Sequence, residues 1–393
     1  MKYLLFTFLV LATFWSNKLA SQNQHTETVF SNQPINFEGM TGSDAVAKRL
    51  QKGRLVYKRI QVPEFSEGSD VVLKLVLKSA GDRWDKTGSC FVLADTSLIS
   101  VLDVSEGSKK FPKKSGLNEG NLGIKATNKY VPVIELLRFI TPFGVGHFSQ
   151  DDKSHRKPVY IPEWEEEVVW EEDVSHLLEL VDNNFIIGVW IDSWTKEGYL
   201  LDLTLHYSNR PNKRVKTKSL INTVSYVNGQ SLPEFFSEGA LNHTFRFDQP
   251  ARNVKLHYIT SGHGGHSGGD EFSKKSNRIR IDDELLLDFT PWRNDCASFR
   301  RFNPSAGVWL KKDSAAYIDF EAKKYKVKEI EERIASSDLS RANWCPGSKV
   351  EPMVIELGDM KQGDHSINID IEASKAAKNK YNHWLVSAYL TYD

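Results

Sequence analysis

Four short segments of this chain bring acidic, basic and aromatic residue types close enough together to do chemistry. In Gly81-Asp82-Arg83-Trp84-Asp85-Lys86-Thr87-Gly88, two carboxylates, two cations and an indole share one turn between apolar runs. Charged hydrogen-bonding groups beside an aromatic wall suit a sugar, although Asp, Lys and Gly are also ordinary turn residues. In Ser261-Gly262-His263-Gly264-Gly265-His266-Ser267-Gly268-Gly269-Asp270-Glu271-Phe272, glycines separate two histidines from an acidic pair. Such a loop shapes the backbone for a close approach. It lacks the Gly-Lys-Ser/Thr ending of a phosphate loop. His263 and His266 could contact a polar substrate, begin a metal site that lacks further local ligands, or sit in a plain flexible loop. Asp192-Ser193-Trp194 ends a strand-like run, where an acid beside a Trp faces either a cleft or solvent. In Ser336 to Gly347, Arg341 stands among turn residues, either as a fixed donor to a carbonyl or hydroxyl or as a structural arginine holding loop carbonyls.

These residues need a frame, and the patterning supplies one. Val71–Lys78, Leu201–Tyr207, Val254–Tyr258 and Ser366–Glu372 alternate apolar and other residues, the mark of half-buried strands. Long helical periodicity is nearly absent; Gly42–Gln51, Asp173–Leu180 and Val327–Ser336 are short helical candidates. Many strands divided by turn clusters predict an all-β protein of β-sandwiches or jelly rolls. The polar, Pro-containing segment Ser208–Arg214 is the expected boundary, dividing the chain into domains at 55–210 and 211–393 after a polar lead-in at 22–54. The lead-in's first part, Gln22–Phe37, is expected to be poorly ordered. The acidic run Glu163–Asp173 reads as a solvated edge anchored by Trp164 and Trp170.

With 51 basic and 51 acidic residues among 393, the chain lacks the electrostatic footprint of a nucleic-acid or anionic-membrane binder. Its 10 Trp, 13 Tyr and 21 Phe provide ample core material. Residues 1–21 read as an export signal: a basic start, the apolar run Leu4–Trp15, then small residues before a polar stretch. That run is shorter than the ~20 apolar residues a bilayer span needs, so a secreted or periplasmic protein is expected. In an exported chain, three cysteines permit one internal disulfide. Cys296 and Cys345, each in a Trp-flanked turn segment, are the expected pair, with Cys90 a buried thiol; the alternative is three reduced, buried cysteines. Closing a 49-residue loop would stabilise by roughly 4 kcal/mol on the chain-entropy model.

Together the segments resemble the peptide N-glycosidase F family, amidases that remove asparagine-linked glycans and are built from two adjacent eight-stranded jelly rolls. The resemblance covers roughly residues 55–393. It rests on Trp84-Asp85, Arg138-Phe139-Ile140-Thr141-Pro142-Phe143-Gly144-Val145-Gly146, Asp192-Ser193-Trp194, Ser261–Phe272, and Ser340-Arg341 with Trp344-Cys345-Pro346-Gly347. It implies hydrolysis of the amide between the proximal GlcNAc and the asparagine side chain, giving Asp and a glycosylamine. No metal or organic cofactor is implied, the cleft between domains is the expected site, and N-glycosylated proteins or peptides are the expected partners of a monomer. The resemblance puts catalytic carboxylates at Asp85, Glu271 and Asp192. The last is a departure, one methylene shorter than the family's glutamate. It puts substrate contacts at Trp84, Lys86, Trp194, His263, His266, Arg341 and Trp344. Lys86 stands where the family has an arginine, and His263 where it has an aromatic. Three other classes compete: a non-catalytic carbohydrate-binding protein, an endoglycosidase using Asp85 and Glu271 on the glycosidic bond, and a copper-dependent hydroxylating monooxygenase of similar architecture. The last would need several His and a Met, and the chain's four methionines, Met1, Met40, Met353 and Met360, all lie far in sequence from the His263/His266 loop.

Overall fold

A computed structural model describes residues 24–38, 47–62, 69–93, 95–112, 121–150, 157–158, 160–181, 184–209, 214–231, 233–376, 378 and 380–393. The expected export signal lies outside them, as do residues 210–213 of the expected boundary. Nearly all described secondary structure is antiparallel sheet. In the first sandwich, one sheet runs in the order β1 (Gln24–Ile35), β9 (Tyr199–Asn209), β4 (Ser69–Ser79), β7 (Val168–Asp173). It faces β17 (Lys349–Val350), β6 (Ile134–Ile140), β5 (Thr87–Leu93), β8 (Asn184–Ile191), β3 (Leu55–Gln61) and β2 (Lys48–Leu50). In the second sandwich, β10 (Lys216–Asn222), β20 (His383–Tyr392), β12 (Ala251–His263) and β18 (Met353–Met360) face β11 (Leu241–Phe247), β19 (Gly363–Ile371), β13 (Asn277–Ile281) and β14 (Glu284–Phe289). These are two adjacent jelly-roll sandwiches, as the alternating patterns predict.

Each sandwich closes over its own core. Val71, Leu73, Leu75 and Leu77 of β4 meet Ile187, Val189 and Ile191 of β8 in the first. Leu256 and Tyr258 of β12 meet Ile367, Ile369 and Ile371 of β19 in the second. The sheet containing β5 and β6 is buried on both faces, its outer face packing Phe91 and Trp190 against Tyr226 and Leu385. A strand covered on both sides has no solvent face, so these two strands show no apolar–polar alternation, and the two charged residues of β6, Glu135 and Arg138, are themselves buried.

The junction is also polar. Arg138 of β6 is fully buried, pairs with Glu135 at 2.7 Å, donates to the Leu385 carbonyl of β20 at 2.7 Å and reaches Ser261 Oγ of β12 at 3.3 Å. Ser387 completes the cluster by donating to Glu135 at 2.6 Å. The two-residue strand β17 adds to the edge of β6, so a segment from the chain's second half extends a sheet of the first sandwich. Trp170 of β7, buried as expected of an anchor, donates to the Gly347 carbonyl at 2.9 Å.

Three expectations are corrected. The segment Gln22–Phe37 is not a loose tail from Gln24 onward: β1 pairs with β9 along its length, because Val29, Phe30 and Ile35 join the first core. Val327–Ser336 is not helical; it belongs to β16 (Lys324–Ala335), which pairs with β15 (Val308–Asp319) in an isolated two-stranded ribbon. Its Lys/Glu content suits a helix equally well, but β15 offers cross-strand partners such as Lys312 for Glu329 at 3.1 Å. Of the other helical candidates, Ser175–Leu177 and Leu178–Val181 form the expected short turns. Within Gly42–Gln51, residues 42–46 lie outside the described residues and Lys48–Leu50 is strand. Cys296 and Cys345 are disulfide-bonded with Cα atoms 5.1 Å apart, and Cys90 is a buried thiol.

Candidate active site

The turn between β4 and β5 is built around a buried acid. Asp82 accepts from Ser193 Oγ at 3.0 Å, Thr195 Oγ1 at 3.1 Å and the Trp84 amide at 3.0 Å. Tyr199 donates to the Trp84 carbonyl at 2.7 Å, and Thr141 Oγ1 accepts the Lys86 amide at 2.8 Å. Main chain and side chains therefore lock Trp84, Asp85 and Lys86 in place. Trp84, 60% exposed, and Asp85 point into a cavity of about 520 Å³.

The opposite wall comes from the glycine-rich loop after β12. Asp270 anchors it, accepting from Trp384 Nε1 and the Ser374 amide, each at 2.9 Å. Glu271 then lies against the backbone of Gly265, where a Cβ would fall 2.9 Å from the Glu271 carboxylate. Gly264 has φ +133°, a backbone conformation that favours glycine. The glycines thus let the loop fold back over its own acid.

Arg341 joins the two walls. Its Nε donates to Glu271 Oε1 at 2.9 Å, its Nη1 donates to the Leu339 carbonyl at 2.8 Å, and its Nη2 lies 3.6 Å from Asp85 Oδ2. The guanidinium is buried between the rings of Phe272 and Trp344. Burial raises Asp85 above the usual carboxylate range, against the pull of Arg341 and Lys86. Burial and the neighbouring Asp85 push Glu271 up to about 7, against the pull of Arg341. Two carboxylates held by one guanidinium thus keep a proton near neutral pH, as in other like-charge pairs.

The remaining expected residues fall into two places. Asp192 and Trp194 line a second cavity of about 570 Å³ with Arg54, Thr87, Asn228, Gln230, Tyr381 and His383. There Asp192 accepts from Trp194 Nε1 at 3.0 Å and Arg54 Nη1 at 3.2 Å, and Arg54 stacks on the Trp194 ring. Burial raises Asp192, opposed by Lys86 and Arg54. Lys86 therefore acts on acids in both cavities. His263 and Trp344 are buried beneath the site rather than lining either cavity: His263 stacks between Trp344 and His383 and shares a 2.9 Å hydrogen bond with Ser261 Oγ. Burial holds His263 well below its ordinary range and pushes His383 down to about 3. His266 Nδ1 sits 3.0 Å from the Ser267 carbonyl and lines neither cavity. Among the described residues, no three His, Cys, Asp or Glu side chains come together as a metal site would require.

Sequence reasoning missed several members of the site. Asp82 and Arg54 were hidden because one looks like turn composition and the other lies some distance before the first motif. Phe143 of the RFITPFGVG string and Trp309 of β15 both line the Asp85 cavity. Only the fold brings them there.

Comparison with known proteins identifies the family to which this fold belongs. Residues 26–207 match the family model for the N-terminal part of peptide-N-glycosidase F, and residues 231–391 match that for its C-terminal part. The chain belongs to the peptide-N-glycosidase F family. Its structure resembles that of PNGF-II, with 31% identity and a TM-score of 0.81 over 97% of this chain and 67% of that one. PNGase F, a glycosylasparaginase from Flavobacterium meningosepticum, shares 13% identity and a TM-score of 0.55 over 95% of this chain and 96% of its own, a likeness of fold. None of the curated proteins matches the chain. Within a peptide-N-glycosidase F fold the Asp85–Arg341–Glu271 cavity lies where the two sandwiches meet.

Proposed function

We propose that this member of the peptide-N-glycosidase F family hydrolyses the amide between the proximal GlcNAc of an N-linked glycan and its asparagine, releasing the whole glycan as a glycosylamine and leaving Asp. The observation that carries the reading is the convergence of Asp85 and Glu271, from different sandwiches, on one buried arginine in one open cavity. Amide hydrolysis needs an aligned water, charge to stabilise the developing oxyanion, and a proton for the departing nitrogen. Asp85 contacts the scissile bond and handles the proton transfer. Glu271, in its ionised form, holds and activates the water. Arg341 directs Nε at Glu271 and Nη2 toward Asp85 while Nη1 is held by the Leu339 carbonyl; with Lys86 it supplies positive charge near the oxyanion and the core sugars. Asp192 and Trp194, in the adjoining cavity, take the sugar side.

The export reading of residues 1–21 makes the substrate extracellular or periplasmic glycoprotein. No helix among the described residues is long and apolar enough to cross a membrane. The test is incubation of an N-glycosylated peptide with purified protein, followed by mass spectrometry. Conversion of the glycosylated Asn to Asp with an intact released glycan is the expected result. One GlcNAc left on the peptide would make the protein an endoglycosidase, and binding without release would make it a carbohydrate-binding protein.

A further inference from the structure

The ribbon β15–β16 is the part of the molecule that the site chemistry leaves unused. Twelve paired residues at about 3.3 Å each make an arm about 40 Å long. Fifteen large apolar side chains are exposed among the described residues, and eight of them lie on this arm and its turn. That concentration marks a contact surface rather than scattered surface apolars. Leu310, Ile318, Tyr325 and Val327 share one face by the period-two alternation, and Phe320, 84% exposed, caps the turn. Both outer edges of the ribbon lack a strand partner among the described residues, so main-chain donors and acceptors are free to pair.

The root of the arm is part of the catalytic cavity. Gly307, Trp309 and Ser336 line it opposite Trp84 and Asp85, and Trp309 is 53% exposed. Both cavities beside the Trp84–Thr87 turn mix aromatic and polar walls: Trp190, Trp194 and Tyr381 beside Arg54, Asp192 and Gln230 in one, Trp84, Phe143, Phe272 and Trp309 beside Asp85, Glu271 and Arg341 in the other. The root of the arm lines the second, the cavity whose acids are proposed to act on the amide.

We propose that β15–β16 is a polypeptide-docking arm, its Trp309 root beside the scissile amide and its open-edged, apolar ribbon holding the extended chain that flanks the glycosylated asparagine. The occupant is polypeptide rather than glycan because the arm's root lines the cavity that holds the acids acting on the amide, and its two free edges offer main-chain donors and acceptors that an extended chain matches. An extended chain can add to a free sheet edge by main-chain bonds while its alternate side chains rest on the ribbon face. The proposal rests on the amidase reading, and its test separates the two.

The probe is a fluorescently labelled, unglycosylated peptide of about twelve residues, the length that spans the arm. Anisotropy would compare the wild type with two variants: one with Leu310–Arg333 replaced by an Asn-Gly turn, and one carrying Leu310→Ser, Ile318→Ser and Tyr325→Ser, all at exposed positions. The arm predicts saturable binding by the wild type, weakened at least about tenfold in both variants. It also predicts that both variants cleave a minimal glycosylated tripeptide like the wild type but lose turnover on a long glycopeptide through KM. Equal binding by all three proteins, or no peptide binding by the wild type, overturns the arm. A wild-type dimer in sedimentation that the triple variant abolishes also overturns it, making a second copy the occupant. Peptide binding with no glycan release by the wild type would overturn the amidase reading and leave the arm standing.

Discussion

Arg341 Nε meets Glu271 Oε1 at 2.9 Å in a site where Arg341 is 2% exposed, so the guanidinium is held as firmly as the acids it serves. An uncompensated buried carboxylate pair is costly, and a lysine cannot span both walls as a planar fork does. Arg341→Lys should lower kcat/KM by about 10²–10³-fold, the usual scale for one charge-stabilising donor. Steady-state kinetics on a glycopeptide checks this; activity within a few-fold of wild type would return Arg341 to a structural role.

The raised pKa of Glu271 makes opposite demands on activity and stability. As the base, Glu271 must be ionised, so kcat/KM should rise with pH through about 7. Its folded pKa lies above the unfolded value, so the native state binds the extra proton between about 4.5 and 7 and stability from this group falls as pH rises through that window. Glu271→Gln should therefore abolish turnover yet unfold at higher temperature than the wild type at pH 8, with little difference at pH 5. Calorimetry at the two pH values tests the sign, and a variant less stable at pH 8 would contradict it.

Asp82 is a positioning residue, since it holds the turn and touches neither cavity. Asp82→Ala strips the partner from the Ser193 and Thr195 hydroxyls and the Trp84 amide, and should cost about 2–4 kcal/mol in denaturant titration. At a temperature where it remains folded, its kcat should fall, and because the Asp82 charge is one of the influences that raise Asp85, any shift of the pH profile should be toward lower pH. A shift toward higher pH would contradict this electrostatic role.

Arg138 ties the sandwiches together, and its partners divide between them. Arg138→Met alone strands a buried Glu135 and should cost about 3–5 kcal/mol. Replacing both, Arg138→Met with Glu135→Leu, should recover much of that loss. A double variant no more stable than the single would show that the cluster matters through its bonds to Leu385 and Ser261 rather than through charge balance.

Much of this arrangement was legible in the sequence, and the gaps have physical causes. Strands with one buried face, such as Val71–Lys78 within β4 and Ser366–Glu372 around β19, announced themselves by alternation. The arm did not, because with no core on either side nothing forces its residues to alternate, and its Lys and Glu pairs satisfy helix and ribbon alike. β1 looked like a polar tail because only three of its residues, Val29, Phe30 and Ile35, are buried and apolar, while its fourth buried residue is the polar Gln33. Asp85, Glu271 and Arg341 stood out through motif strings. Their convergence is a property of the junction, as is the separation of Asp192 and Trp194 into a neighbouring cavity.

The central claim is that Asp85, on its locked turn, acts on the amide while the fold stands without it. Wild-type protein and Asp85→Asn, which keeps the side-chain size, should be incubated side by side with one N-glycosylated peptide and the products weighed by mass spectrometry. The account predicts complete conversion of Asn to Asp with release of the intact glycan by the wild type. It predicts none by Asp85→Asn, whose melting temperature stays at or above the wild-type value because burial penalises the ionised acid. Glycan release by Asp85→Asn at a rate near that of the wild type would contradict it.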